Sequence, residues 1–120
     1  MQLISRFWDA AEDLDPAVRR DTEAVSFGFC RPEPLRAMFG AAGLLDMSVD
    51  SVVVPTGFRD FDDLWSPFLR ATGPAPAYSS SLDDARQADL RARFQAALPV
   101  DADGSVHLTE RAWTVRGSVR

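Results

Sequence analysis

Hydrophobic residues recur at helical spacing at the start of the chain and predict an amphipathic helix over residues 1–14. The apolar face of this helix consists of Leu3, Ile4, Phe7, Trp8, Ala11 and Leu14. Asp15 and Pro16 supply an N-cap and a first-turn proline, so a second short helix is predicted to run to about Thr22. Residues 21–31 lose the helical period, which indicates a loop that contains an extended piece.

A helix followed by a strand is predicted for the next part of the chain. The helix begins at Pro32, and Gly43 stands at the position just beyond a helix end that favours glycine. The apolar residues of this helix are Leu35, Met38, Phe39 and Ala42. Apolar and polar residues then alternate through residues 44–54, which predicts a strand, and Pro55 is predicted to end it.

The following region is predicted to be mainly helical. Asp60 caps a short helix that Pro67 kinks or shortens, and its apolar residues are Phe61, Leu64, Trp65 and Phe68. Residues 72–80, TGPAPAYSS, have the glycine and proline content of a loop. Residues 81–84 form a start similar to a capping box for a longer helix, which Pro99 closes. The predicted buried face of that helix is Leu90, Phe94, Ala97 and Leu98.

A second strand is predicted over residues 105–116, after an aspartate-glycine turn. Its apolar residues lie on both faces, and they are Val106, Leu108, Trp113 and Val115. We expect this strand to pair antiparallel with residues 44–54, because the sequence offers neither of them another partner. The predicted fold class is α+β, with several amphipathic helices around a small antiparallel two-stranded sheet.

The chain is interpreted as one partial domain, because 120 residues contain neither internal repeats nor a linker. Lid-like helices and a loop occupy residues 1–31, and a helix and strand occupy residues 32–57. A helical insertion occupies residues 58–104, and the last strand occupies residues 105–120.

Composition narrows the classes of partner. The net charge is −5 and every one of the 13 basic residues is arginine, a balance that argues against nucleic acid or an anionic membrane as a partner. Cys30 is the single cysteine, so the chain cannot form an internal disulfide. With no apolar run of about 20 residues, we expect a cytoplasmic protein that does not enter a membrane.

The sequence contains no complete catalytic or cofactor-binding motif. A Gly-x-Gly turn, a phosphate-binding loop, a zinc-ligand set and a HExxH motif are all absent from it. His107 could act as a general base, but a structural or solvent-facing histidine is favoured. Cys30 could act as a nucleophile, but an inert packed thiol is favoured.

Clustered aspartates have two interpretations. Asp60, Asp62 and Asp63 could form a metal cluster, yet acidic side chains in the first turn of a helix also stabilise its dipole, so capping is favoured. Asp101 and Asp103 beside a glycine fit a turn and are too few for a calcium-binding loop.

Aromatic side chains are the informative excess in this sequence. Core packing is one explanation for each of them, and a ligand pocket is the other. Aromatic residues in irregular segments are harder to explain by packing than those in regular helices such as Phe39 or Phe94. The candidates for a substrate pocket are Phe7, Trp8, Phe27, Phe29, Trp65 and Tyr78.

The segment CRPEPLRAMFGAAGL, followed by an alternating strand, resembles the helix and sixth strand of class I S-adenosylmethionine-dependent methyltransferases. The order along the chain strengthens the resemblance: RFWDAA, then this helix and strand, FDDLWSPFL, GPAPAY, a long helix, and DGSVHLTERAWTVRG. The last segment is similar to the seventh, antiparallel strand of that family. The resemblance covers nearly the whole chain and implies a partial Rossmann-like fold.

The resemblance implies an acceptor-side portion of such an enzyme. In the family, S-adenosylmethionine is held mainly by the first four strands and their loops, which have no counterpart here, so no cofactor is expected for this chain alone. Residues 1–31 and 58–80 are similar to family insertions that cover the acceptor site. A small-molecule acceptor and a separate donor-binding half are therefore the expected partners, and the chain alone is expected to be inactive.

Two other interpretations stay open. The chain could be a non-catalytic module that binds a small ligand or another protein, or an unrelated α+β domain. A short sheet that lacks its neighbours presents open backbone groups, so we expect self-association.

Overall fold

The computed structural model describes residues 2–18, 28–70 and 72–120. The chain divides into two compact units, each built from two stretches of sequence. Unit 1 contains Met1–Arg20 and Pro55–Glu110, and unit 2 contains Asp21–Val54 and Arg111–Arg120. Each unit is described by itself below.

The described ranges contain six helices and two strands. The helices are α1 (Gln2–Leu14), α2 (Pro32–Ala41), α3 (Phe61–Trp65), α4 (Pro67–Arg70), α5 (Pro74–Ser81) and α6 (Asp84–Ala97). The strands are β1 (Leu45–Phe58) and β2 (Val106–Ser118). The α+β class predicted from the sequence is therefore confirmed.

Helix α1 places the predicted apolar face in the core of unit 1. Phe7 and Ala11 are fully buried and Trp8 is nearly so. The chain then turns: the Asp15 carboxylate accepts a hydrogen bond from the Ala17 N–H at 3.0 Å. An aspartate that bonds the backbone two residues ahead offers an alternative to helix. The predicted second helix is thus absent as far as residue 18, and its remainder, like Phe27, lies outside the described residues.

An aromatic cluster forms the centre of unit 1. Phe94 is fully buried, and its ring centroid lies 5.4 Å from that of Phe68 and 5.7 Å from that of Phe7, both in edge-to-face geometry. Phe7 and Phe68 stack at 4.7 Å. Edge-to-face and offset-stacked rings are the arrangements that aromatic quadrupoles favour. This cluster joins α1, α4 and α6 into one core.

Helix α3 begins at the predicted cap. The Asp60 carboxylate accepts a hydrogen bond from the Asp63 N–H at 2.8 Å, and the Asp63 carboxylate in turn accepts from the Arg59 N–H at 3.2 Å. This reciprocal pairing satisfies backbone donors that a helix start leaves open. Pro67 then begins α4, which agrees with the prediction that this proline kinks or shortens the helix.

Helix α5 corrects the sequence interpretation, because residues 72–80 were predicted to form a loop. Gly73 provides the turn into the helix at φ 123°, and Pro74 and Pro76 both fall in the first turn. Backbone N–H groups in a first turn have no partner within the helix, so prolines there cost no hydrogen bond. The residues that suggested a loop are therefore compatible with a helix start.

Helix α6 begins within the predicted start at residues 81–84, but its cap is Asp83, whose carboxylate accepts a hydrogen bond from the Arg86 N–H at 2.8 Å, while Ser81 ends α5. Leu90, Phe94 and Leu98 are buried as expected. Ala97 is exposed, so the prediction that it is buried was wrong.

The two strands pair with each other and are antiparallel, as predicted. Gly57 lies against His107 and Asp50 lies against Thr114, so residue numbers fall along β2 as they rise along β1. Pro55 does not end β1, which continues to Phe58. A strand with one neighbour has backbone groups on its outer side that need no partner, and proline is compatible with such an edge.

Unit 2 contains helix α2 and parts of both strands. The helix ends as predicted, with Gly43 at φ 97° and its N–H donating to the Gly40 carbonyl at 3.0 Å. Leu35 is the one hydrophobic residue classed as buried in the described part of this unit. Several large apolar side chains of unit 2 are exposed: Phe29, Met38, Phe39, Leu45, Val52, Val53, Val54 and Val119.

Candidate functional site

The structure brings four of the six pocket candidates together in unit 1. Phe7, Trp8 and Trp65 are buried in the aromatic cluster, and Tyr78 is partly buried against it. Phe29 lies in unit 2 and is 42% exposed. Phe27 lies outside the described residues.

Trp8 and Tyr78 are the two candidates that combine an aromatic ring with a polar atom. Their ring centroids lie 5.7 Å apart at a tilt of 45°. Phe7 packs edge-to-face against both, at 5.2 Å from Trp8 and 6.4 Å from Tyr78. Helices α1 and α5 thus contact each other through these three rings.

Three polar atoms near these rings are buried and have no hydrogen-bond partner among the described residues: Trp8 Nε1, the Tyr78 hydroxyl and Ser79 Oγ. Ser79 is fully buried as a residue. A buried polar group without a partner costs about 1–3 kcal/mol, so native structures seldom keep one without a reason. We define these three residues as the orphan polar set.

Ser79 could not be found by sequence reasoning, because its segment was predicted to be a loop. A helical interpretation would have offered a signal, since Ser79 stands four residues after the buried Ala75 and lies on the same helix face. Nothing in the sequence marks its hydroxyl as unpartnered.

Burial raises the pKa of the Tyr78 phenol, and the nearby Asp15 carboxylate raises it further, while Arg86 acts in the opposite direction. The hydroxyl is therefore neutral throughout the physiological range. A neutral phenol can both donate and accept a hydrogen bond.

A second group of functional side chains lies at the start of β2. Ser105 Oγ lies 3.2 Å from His107 Nε2, and an Asp101 carboxylate oxygen lies 3.5 Å from the same nitrogen. A catalytic triad needs the serine and the carboxylate on opposite ring nitrogens. Here both face Nε2, while the Nδ1 side of the ring lies beside Gly57. His107 is exposed, so the solvent-facing interpretation of this residue holds.

Ser105 also binds Asp103, an aspartate of the turn that precedes β2. Ser105 Oγ donates to the Asp103 carboxylate at 2.6 Å, and the Ser105 N–H donates to it at 3.0 Å. These bonds hold the pKa of the Asp103 carboxyl below its usual range. The arrangement stabilises the turn before β2 and does not activate the serine hydroxyl.

The aspartates around α3 have protein partners. Asp60 caps the helix, Asp63 pairs with Arg59 at 3.1 Å, and Asp62 pairs with Arg91. These contacts support the capping interpretation. Within residues 2–18, 28–70 and 72–120 no group of three potential ligands is placed to hold a metal ion.

The sheet offers a different kind of site, because each strand has one free edge. Strand β1 contains Pro55, which lacks an N–H, and Asp46, which adopts a left-handed φ of 49°. Both features disturb a regular row of donors and acceptors. Strand β2 has no proline and no residue at positive φ, and near its start the Thr109 N–H donates to Gln2 Oε1 at 3.0 Å. We name the side of β2 that faces away from β1 the open edge.

Comparisons with known proteins add no further constraint. No protein-family model matches the chain, and no curated protein matches it. Across the described ranges, none of the helices combines the length and the apolar character that a membrane-spanning segment requires.

Proposed function

We propose that this chain is the acceptor-side portion of a class I S-adenosylmethionine-dependent methyltransferase. It acts on a small molecule once a separate donor-binding half completes its sheet along the open edge. The sheet would then belong to a Rossmann-like fold. The family is inferred from the sequence resemblance. Docking at β2 is inferred from the difference between the two sheet edges.

The order of the elements supports this proposal. A helix that ends in glycine leads into β1, a helical insertion follows, and β2 returns antiparallel beside β1. The resemblance implies the same order for the last two strands of the family. It also implies that the final strand has neighbours on both sides.

The open edge identifies where a missing neighbour would add. Strand β2 runs for 13 residues without proline or left-handed backbone. Near its start the Thr109 N–H already donates to Gln2 Oε1 at 3.0 Å, so a new strand would add along the part of β2 that follows Thr109. Such an edge accepts another strand through main-chain hydrogen bonds. The outer edge of β1 is less suitable because of Pro55 and Asp46.

Exposed apolar side chains in unit 2 supply the second support. Val52, Val53 and Val54 are each about half exposed, and Phe39 and Met38 on α2 are exposed as well. Val52 and Val54 share one face of β1 and Val53 lies on the other, so both faces of the strand expose apolar side chains that another protein could cover. A donor-binding half would bury part of it.

The described residues do not fit S-adenosylmethionine by themselves. Binding this cofactor through backbone N–H groups requires a glycine-rich turn that opens a helix after a strand. Gly73 opens α5, but Pro74 and Pro76 remove donors from its first turn. We therefore assign no cofactor contact to this chain.

The contribution of this chain would be to orient the acceptor and to exclude water. Transfer of a methyl group from a sulfonium depends mainly on alignment of the reacting atoms. A catalytic base is not required for every acceptor. The aromatic residues of α1 and α5 are the candidates for that role.

The first test is S-adenosylmethionine binding by the isolated chain. We expect no one-to-one isotherm by calorimetry at micromolar cofactor, because no residues here form the site. Tight binding by the chain alone would overturn the assignment of the donor site to another half.

The second test joins this chain, through a flexible linker before residue 1, to the donor-binding strands of a class I methyltransferase. We expect cofactor binding by the fusion to be accompanied by protection of the β2 amides from hydrogen exchange. Unprotected amides in a fusion that binds cofactor would contradict docking at the open edge.

Neighbouring proline variants provide the matched control. Thr114→Pro and Val115→Pro change adjacent residues of β2, whose N–H groups point to opposite sides of the strand. One variant disrupts pairing with β1, whereas the other leaves the isolated chain folded and prevents docking. Docking that survives the folded variant would contradict the proposal.

A non-catalytic interaction module is the second candidate, and the exposed apolar residues of unit 2 favour it. A module of this kind would bind a protein partner without conferring methyl transfer on any donor-binding half. The fusion separates the two candidates by its activity.

A cytoplasmic location belongs to the same proposal. Cys30 is exposed and forms no disulfide, so the expectation that its thiol is packed was wrong, while a free thiol is compatible with a reducing compartment.

A further inference from the structure

The orphan polar set shares one small region of unit 1. Trp8 is contributed by α1, and Tyr78 and Ser79 are adjacent in α5. The tilted contact between the Trp8 and Tyr78 rings, at 5.7 Å, connects the two helices. Two of the unpartnered atoms therefore belong to the rings of one aromatic contact, and the third, Ser79 Oγ, belongs to the next residue of α5.

Three unpartnered atoms in one region are unusual for a core. Each costs about 1–3 kcal/mol relative to a satisfied group, and a native protein of this size has few of them. The neighbouring aromatic side chains are apolar and need no such atoms to pack. A ligand that supplies hydrogen bonds at this point would remove the cost.

The chemistry of the atoms defines the ligand. The Trp8 indole N–H can only donate, whereas the hydroxyls of Tyr78 and Ser79 can donate and accept. The surrounding core cluster consists entirely of hydrophobic residues, so a charged ligand would be strongly disfavoured there. The flanking rings of Phe7 and Trp8 favour a planar partner.

We propose that α1 and α5 form a binding site for a small uncharged aromatic compound that carries a hydroxyl group, that is, for a phenol. The phenol oxygen accepts a hydrogen bond from the Trp8 indole N–H. The phenol hydroxyl also forms hydrogen bonds with the hydroxyls of Tyr78 and Ser79. The ring of the ligand lies among the rings that already surround these atoms.

Access to the site requires only a limited movement. Helix α1 packs much more extensively on α6 than on α5. Separation of α5 from α1 therefore breaks few direct contacts between these two helices. Helix α5 packs most extensively on α4, whose Phe68 stacks on Phe7, so the movement has to leave that stack in place. Tyr78 is partly exposed, so its ring already marks a route from the solvent to the buried hydroxyl.

The identification of this phenol as the methyl acceptor rests on the proposed function, but the binding itself does not. Binding can be measured on the chain alone, without cofactor and without a donor-binding half. Failure to bind phenol would leave the docking tests untouched, and failure of docking would leave phenol binding intact.

The experiment titrates the chain with phenol and follows backbone amide and tryptophan indole signals by NMR. A ligand of this size is expected to bind with a dissociation constant of roughly millimolar. Toluene, which has the same ring but no hydroxyl, is the control ligand. We expect saturable shifts of the Trp8 indole with phenol and at least roughly fivefold weaker binding of toluene.

Two variants of neighbouring serines complete the test. Ser79→Ala removes an unpartnered hydroxyl and is expected to weaken phenol binding by roughly fivefold while the melting temperature stays the same or rises. Ser80→Ala changes an exposed residue of the same helix and should alter neither property. Tyr78→Phe is a second variant with the expected pattern of Ser79→Ala.

Three results would overturn the site. The first is the absence of saturable shifts with phenol, and the second is equal binding of phenol and toluene. The third is unchanged phenol affinity in both Ser79→Ala and Tyr78→Phe. A large loss of stability in Ser79→Ala would also contradict the unpartnered state of its hydroxyl.

Discussion

The two units use their hydrophobic residues in opposite ways. In the described part of unit 1 the large apolar side chains are mostly buried around Phe94, and Leu69 and Val100 are the exposed ones. In the described part of unit 2, Leu35 is the one buried hydrophobic residue, while Val52, Val53 and Val54 of β1 are exposed. Unit 1 therefore has a hydrophobic core of its own. Unit 2 instead exposes apolar side chains of the kind that a partner protein covers.

This contrast locates stability and association in different parts of the chain. Burial of a large apolar side chain contributes roughly 1.5–3 kcal/mol, so unit 1 should account for most of the stability. Exposed apolar surface beside an open strand edge should account for most of the association.

Matched leucine truncations test where stability resides. Leu90 is fully buried in unit 1 and Leu35 is 7% exposed in unit 2, and both lie on helices. We expect Leu90→Ala to lower the free energy of unfolding by about 3 kcal/mol or more, and Leu35→Ala to lower it by about 1 kcal/mol. Urea denaturation monitored by circular dichroism measures both, and equal losses would contradict the contrast.

Matched valine substitutions test where association resides. Val53 in unit 2 and Val100 in unit 1 are 51% and 49% exposed, so a lysine is tolerated equally at either position. We expect the native chain to self-associate at tens of micromolar, and Val53→Lys to weaken this by roughly tenfold, about 1.4 kcal/mol. Val100→Lys should have no effect. Sedimentation velocity measures the outcome, and a compact native monomer would contradict it.

A capping substitution tests the helix that anchors the core of unit 1. Asp83→Ala removes the acceptor for the Arg86 N–H and should lower the free energy of unfolding by about 1 kcal/mol. Asp83→Asn retains a capping oxygen and is the control. Equal losses in the two variants would mean that the charge of Asp83, rather than its hydrogen bond, stabilises α6.

The pH dependence of stability should be small and confined to acid. The hydrogen bond from the Arg59 side chain lowers the pKa of the Asp63 carboxyl, and its backbone N–H adds to the effect. Stability from this group is complete above the ordinary aspartate pKa of about 4 and is lost as the pH falls through the lowered pKa. Asp63→Asn should reduce the acid loss in thermal melts, and an unchanged profile would contradict this origin.

Sequence patterns predicted the elements whose periodicity matches their burial. Helices α1, α2 and α6, both strands and their antiparallel pairing followed from apolar spacing, and the start of α3 followed from the cap at Asp60. Such elements are decided by local signals that agree with the tertiary packing.

Two local predictions failed because proline has different effects at different positions in a helix or a strand. The prolines of α5 suggested a loop, but in a first turn they cost no hydrogen bond. Pro55 suggested a strand end, but a strand with one neighbour tolerates it. In both cases the deciding fact is whether the missing N–H had a partner, which sequence alone does not reveal.

The candidate site was only partly predictable. Trp8 and Tyr78 were identified from aromatic excess, since large rings are visible in a sequence. The unpartnered state of their polar atoms, and the inclusion of Ser79, depend on where two helices that are distant in sequence meet. A hydrogen-bond deficit is a property of the packed chain and leaves no pattern along it.

The discontinuity of unit 1 has a consequence for how the protein is made. Helix α1 leaves the ribosome long before α6, and the bond from Arg93 Nη1 to the Asp13 carbonyl joins residues 80 positions apart. At about 5–20 residues per second, α1 waits roughly 4–16 seconds for its partner, with Phe7 and Trp8 uncovered. During that interval the nascent chain presents an amphipathic helix that a chaperone would bind, so the yield of folded protein should depend on translation speed between the two helices.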